Sequence, residues 1–214
     1  MRFRDKEERS YHHGNLREAL VQAALRLIAE HGPDGFTFAQ AAREAGVSAA
    51  APYRHFRDQQ ALLAEVALRG FEQFTTQLER AWGDGRPDPF TAFQRCGVAY
   101  LAFARANPAA YATMFGPAAA RADDAALRAA SDRAFAVLRG AAEAVCAALP
   151  PGTKAPPLMV ALHTWAISHG IAALFIGTPD STRRALPMTP EHLLEAAMLV
   201  YLQGLGRPGL TPPG

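Results

Sequence analysis

Cysteine is nearly absent from this chain. Cys96 and Cys146 are the only two in 214 residues, and they stand far apart. That excludes a scaffold stapled by disulfides and any thiolate metal spacing, and it points to a reducing compartment with both thiols buried. Net charge is nearly absent too, at +2. Attraction to nucleic acid must then come from local arrangement, because bulk basicity does not supply it. The opening MRFRDKEERS carries charge and no apolar run, which argues against a secretory leader. There is no G-x-S-x-G elbow, Walker loop, dinucleotide fingerprint or H-E-x-x-H helix. Asp123-Asp124 reads as a solvated helix start, not an acid/base pair. No catalytic residue, cofactor site or metal site is expected. His12-His13 lack a third ligand at a telling spacing, so they belong to a loop that enters a helix.

Charge is missing altogether from Ala155 to Pro179, where no Asp, Glu, Lys or Arg occurs. A membrane-spanning helix needs about 20 predominantly apolar residues. This run includes His163, Thr164, Ser168 and His169 and opens with Pro156-Pro157. Burial by neighbouring helices or a second subunit is therefore expected, with no membrane partner. A stretch free of carboxylates also runs from Ala45 to Arg57 and contains Arg54, His55 and Arg57. Such a surface tolerates phosphate, which would repel an acidic group.

That second stretch lies within TFAQAAREAGVSAAAPYRHF, Thr37 to Phe56. Phe38, Ala41, Ala42 and Ala45 fall at helical spacing. Thr37 and Gln40 have the spacing of a capping box. Gly46 suits a left-handed helix end, and Val47 plugs the space between two helices. Ser48 is placed to cap a second helix, anchored by Tyr53 and Phe56, with small Ala49 and Ala50 and basic Arg54 on its other face. Pro52 lacks an N–H, so that helix should start late or bend. Periodicity alone leaves a DNA-reading pair and an ordinary helical hairpin both open.

The rest of the chain reads as helices separated by Gly/Pro breaks. Residues 1–10 form an arm. A brace helix with Leu16, Leu20, Ala24, Leu27 and Ile28 precedes the motif, which spans about 38–57 in a head of residues 11–60. Asp58 caps a linking helix, 58–82, that ends at GDGRP. Residues 83–206 form a second domain, with helices opening at Asp88-Pro89, Asn107-Pro108, about residue 121, about residue 157 and Thr189-Pro190, and a tail follows over 207–214. No strand is expected, so the fold class is all-α: a three-helix helix-turn-helix head, then a bundle of about six helices.

AREAGVSAAAPYRHF, with YHHGNLREAL upstream, resembles the helix-turn-helix of TetR-like (tetracycline repressor) bacterial transcription regulators over about Tyr11 to Val66. The resemblance implies a cytoplasmic, nucleoid-associated homodimeric repressor, released from a near-palindromic double-stranded operator by a small-molecule effector. It implies phosphate contacts from Tyr53 and His55 and base reading by Ser48, Ala49, Ala50 and Arg54, although Arg54 could equally take a phosphate. Thr37 and Gln59 complete the expected DNA contacts. Gln59 stands where the family often has Lys, which weakens that contact and its salt dependence. Trp165, His169 and Gly170 resemble a Trp–His–Gly signature of one subset of the family. They either pack a core or a dimer interface, or they line an effector pocket with Tyr100, Phe103, Tyr111, Met114 and Phe115. Gly170, Leu174, Leu194 and Met198 are expected in the dimer interface or in helix packing. An effector-independent activator or architectural factor and, more remotely, an α-helical enzyme are the alternative functions.

Overall fold

The computed structural model describes residues 16–150, 156–175 and 188–205. The expected arm, the His12-His13 loop, most of the loops before and after the uncharged helix, and the tail lie outside the described residues. The elements are α1 (Leu16–His31), α2 (Phe38–Glu44), a 3-10 segment (Ala51–Arg54), α3 (Gln59–Trp82), α4 (Pro89–Ala106), α5 (Pro108–Met114), α6 (Pro117–Arg121), α7 (Ala125–Ala147), α8 (Pro157–Phe175) and α9 (Pro190–Leu205). No strand occurs among the described residues. The breaks follow the chemistry of their residues. Asp58 accepts from the Ala61 N–H at 2.8 Å, Asp88 from Phe90 and Thr91 at 3.0 Å, and Asp124 from Ala126 at 2.8 Å.

By compactness the chain divides into two units. One runs through Phe71 and includes Ala109–Arg128; the other takes Glu72–Pro108 and the residues from Ala129 on. The division falls inside α3 and not at its end near residue 82. In the first unit, Leu16, Leu20, Ala24, Leu27 and Ile28 of α1 pack with Phe38, Ala41, Phe56, Leu62 and Val66. Ion pairs tie α1 to α3 beside this core: Arg17 meets Glu65, and Arg69 meets both Glu65 and Glu18. Burial opposes the Glu65 carboxylate. Hydrogen bonds from Arg17 and Arg69 outweigh that, and its pKa falls below the usual carboxylate range.

The second unit is built around Phe93, Leu101, Phe103, Val145, Val160 and Leu194, each almost fully buried. Val98, which belongs to the apolar pattern of α4, is exposed. Gly97 lets α4 and α9 close up, since a Cβ there would stand 2.9 Å from Leu194 Cδ2. The uncharged α8 is long and apolar enough to cross a membrane, with mean hydropathy 1.5, yet only 33% of that window is buried within the chain. Its inner stripe is Val160, Ala161, Thr164, Ser168, Ile171 and Ala172. Leu158, Met159, Leu162 and Leu174 face outward, joined on α9 by Leu199 and Val200.

Candidate functional site

The carboxylate-free stretch sits on a frame that its own residues set. The capping box at the start of α2 forms on both sides: the Gln40 N–H donates to Thr37 Oγ1 at 3.2 Å, and the Thr37 N–H donates to Gln40 Oε1 at 2.6 Å. At the other end Gly46 takes φ +73°, its N–H donates to the Arg43 carbonyl and the Val47 N–H to the Ala42 carbonyl, each at 3.0 Å. That pair of bonds is a Schellman stop. Val47 then packs against the head core.

The second motif element is not the α-helix capped by Ser48 that its spacing predicts. It is a four-residue 3-10 segment, and Ser48 makes no side-chain cap; Ala50 occupies the cap position. Pro52 supplies the reason. It has no N–H with which to reach back to the Ser48 carbonyl, and that carbonyl takes the Ala51 N–H at 3.0 Å instead. The anchors change accordingly. Pro52 and Phe56 are buried, whereas Tyr53 is 62% exposed. Tyr53 leans its ring edge-on against Phe38, centroids 5.0 Å apart. This overturns the inward anchoring of Tyr53. The Arg17 guanidinium lies 4.8 Å from the centre of the Phe56 ring, so a cation–π contact braces the end of the segment.

What remains outward is Ser48, Ala49, Ala50, Tyr53, Arg54 and His55, all exposed. An open hollow bordered by Leu16, Val47, Ser48, Arg54 and His55 adjoins them. Thr37 and Gln59 differ from these six. The Thr37 hydroxyl is engaged with Gln40, and Gln59 Nε2 donates to the Phe36 carbonyl at 2.9 Å. Both hold the frame, and Gln59 keeps one further amide N–H.

The seven residues expected around an effector are divided between the two units. Tyr111 and Phe115 stack in the first unit, centroids 4.9 Å apart, Phe115 also meets Phe71, and Met114 seats against Gly70. The second unit holds a cavity of about 20 Å³. Phe74 and Leu78 of α3, Cys96, Gly97 and Tyr100 of α4, Ala134 and Leu138 of α7, and Thr164, Trp165 and Ser168 of α8 line it. Of the expected set, Tyr100 and Trp165 are on the wall. Phe103 packs behind it against Phe74 at 5.0 Å, and His169 Nδ1 shares a 3.0 Å hydrogen bond with the Tyr100 hydroxyl. Burial lowers the His169 pKa and raises the Cys96 thiol to about 11.

Thr164, Cys96 and Ser168 were missed by sequence reasoning. The buried stripe of α8 holds two hydroxyls four residues apart in a run without charge, and that was the available signal. Of the four packing residues, Leu194 and Met198 are buried inside the chain and Leu174 is 63% exposed. A Cβ on Gly170 would meet nothing within 4 Å among the described residues.

Comparison with known proteins agrees with this layout. The tetracyclin repressor-like C-terminal domain matches residues 93–200, about half the chain, and the tetR-family domain of bacterial regulatory proteins matches residues 20–66. The HTH-type transcriptional regulator BetI of Agrobacterium fabrum is 53% identical over 50 residues, which cover 23% of this chain and 24% of that protein. The chain thus aligns with about a quarter of that curated relative's length. A structure of a protein of unknown function from Rhodococcus sp. RHA1 is 33% identical, with TM-score 0.75, covering 92% of this chain and 98% of that one. The TetR family transcriptional regulator PfmR from Thermus thermophilus shares the fold at 22% identity and TM-score 0.68, over 88% of this chain and 99% of its own. The head motif, the helical second domain and these matches converge: the chain belongs to the tetracycline repressor-like family of bacterial transcriptional regulators.

Proposed function

We propose that the protein is a cytoplasmic homodimeric repressor that binds a near-palindromic DNA operator and is released by a small molecule. The carrying observation is the exposed, acid-free ridge from Ser48 to Arg54 on a rigid frame. Tyr53 and His55 hold phosphate oxygens and so set register. Ser48, Ala49 and Ala50 let the backbone approach base edges, and Arg54 reads a guanine or holds the backbone.

The copies pair through the outward face of α8 and α9. Leu158, Leu162 and Leu174, with Leu199 and Val200, form an apolar surface that one chain leaves open. Two heads of a symmetric pair reach successive major grooves, about 34–36 Å apart. Ligand acts through α3, which starts at Gln59 and contributes Phe74 and Leu78 to the cavity. By linkage, operator weakens ligand binding by the same factor as ligand weakens operator, typically about 5–150-fold. Selection of bound sequences from a random duplex pool tests the reading. Enrichment of a two-fold-symmetric site supports it; a pool that stays random at low salt overturns it.

A further inference from the structure

The cavity in the second unit carries information about what fills it. Among the described residues that line it there is no Lys, Arg, Asp or Glu. An ionised ligand group would lose its water there without gaining a counter-charge. The polar groups on the wall are mostly engaged. The Tyr100 hydroxyl is bonded to His169, and the Cys96 thiol points at the Leu78 carbonyl at 3.9 Å. Thr164 differs. It is 2% exposed, it lines the cavity, and its Oγ1 has no hydrogen-bond partner among the described residues. A buried hydroxyl in that condition weakens the fold. Buried groups left unsatisfied call for an explanation, and a ligand that completes the bond is one.

The remaining wall is hydrocarbon, with the rings of Phe74, Tyr100 and Trp165 and the branches of Leu78 and Leu138. We infer that the effector is a small uncharged molecule with a compact hydrocarbon body and a single hydrogen-bonding oxygen, an alcohol, phenol or ketone, held by Thr164 Oγ1. This deepens the effector-released reading above and rests on it for its regulatory meaning. A cavity of this volume admits only one or two water-sized groups. Any such ligand therefore pushes the lining side chains apart, α3 residues included.

The test uses the full chain without DNA. Benzyl alcohol, 1-hexanol, toluene, benzoate and benzylamine are titrated against wild type, Thr164→Val and Thr164→Ser. Tryptophan emission, which Trp165 reports from the wall, and the thermal midpoint are followed. The two alcohols should bind saturably and at least about tenfold more tightly than benzoate or benzylamine. Thr164→Val keeps the shape and removes the oxygen. It should weaken benzyl alcohol about tenfold, the size of one hydrogen bond, and leave toluene unchanged. Its ligand-free midpoint should hold or rise, and Thr164→Ser should retain alcohol binding. The inference is overturned if neither alcohol binds, if a charged probe binds as well as its neutral counterpart, if Thr164→Val binds alcohol undiminished, or if its midpoint drops by several degrees. No operator enters these titrations, so a failed duplex selection leaves their outcome standing. Operator binding without a probe response overturns this inference alone.

Discussion

The reading ridge and the cavity treat polar side chains in opposite ways. On the ridge, Tyr53, Arg54 and His55 are exposed, while the backbone beneath is locked by a two-sided cap, a Schellman stop, a buried proline and a buried Phe56. Around the cavity, Thr164 and Ser168 are buried and the backbone is plain helix. In the proposed role the first arrangement keeps polar and charged groups solvated until phosphate replaces the water, and it fixes the backbone that carries them beforehand. The second withholds water from an uncharged group, which makes that group responsive to whatever enters. A surface for a polyanion needs rigidity, and a pocket for a neutral ligand needs an unsatisfied site with walls that yield.

The strongest way to break this comparison is to remove the proposed pairing of copies. Leu162→Glu places a charge on the outward face of α8, where Leu162 is 44% exposed and tolerates it. Sedimentation should show monomers, and anisotropy titration should show operator affinity lower by about a hundredfold or more, since one head alone loses the joint binding of two. Next in size is the ridge itself. Arg54→Ala with Tyr53→Ala should cut preference for the selected operator over an unrelated duplex by about 10–100-fold, as expected for a lost base contact plus a register contact. The thermal midpoint should hardly move, because both side chains lie outside the core.

A smaller effect sharpens the contrast in rigidity. An added Cβ on Gly46 meets nothing within 4 Å, so Gly46→Ala carries only the cost of φ +73°. That cost is about 1 kcal/mol. It should appear as a midpoint lower by roughly 2–4 °C. The smallest effect concerns the cavity wall. Burial lowers the His169 pKa, so below about 6.5 the unfolded chain takes a proton that the folded chain resists. Stability from this source is complete above that value and is lost as pH falls from it. Wild-type midpoints should therefore drop more steeply on mild acidification than those of His169→Gln.

Local rules were readable from residue types and spacing alone. The capping box at Thr37, the Gly46 stop, the Asp58 and Asp88 caps and the apolar stripe of α1 all depend on residues close in sequence, and each formed. The bend at Pro52 was readable as well. Its outcome as a 3-10 turn depended on which donor the Ser48 carbonyl would accept, and spacing does not settle that. The cavity was least legible. Tyr100 and Tyr111 are both bulky aromatics in successive helices, yet Tyr100 lines the cavity of the second unit and Tyr111 stacks on Phe115 in the first, a difference that residue type does not encode. On α9, Leu194 and Leu199 look alike in sequence. One fills the notch at Gly97 and the other points outward, because the helix has little polar contrast to orient it.

Gly97 lines the cavity and also receives Leu194 of α9. At this point α4 touches both the interior space and the helix that exposes Leu199 and Val200. Close-packed interiors pass strain from one neighbour to the next. If α9 carries the contact between copies, tightening that contact squeezes the space within. The affinity of the protein for its small molecule then depends on how much of the protein is present: dilute preparations admit the guest more readily than concentrated ones.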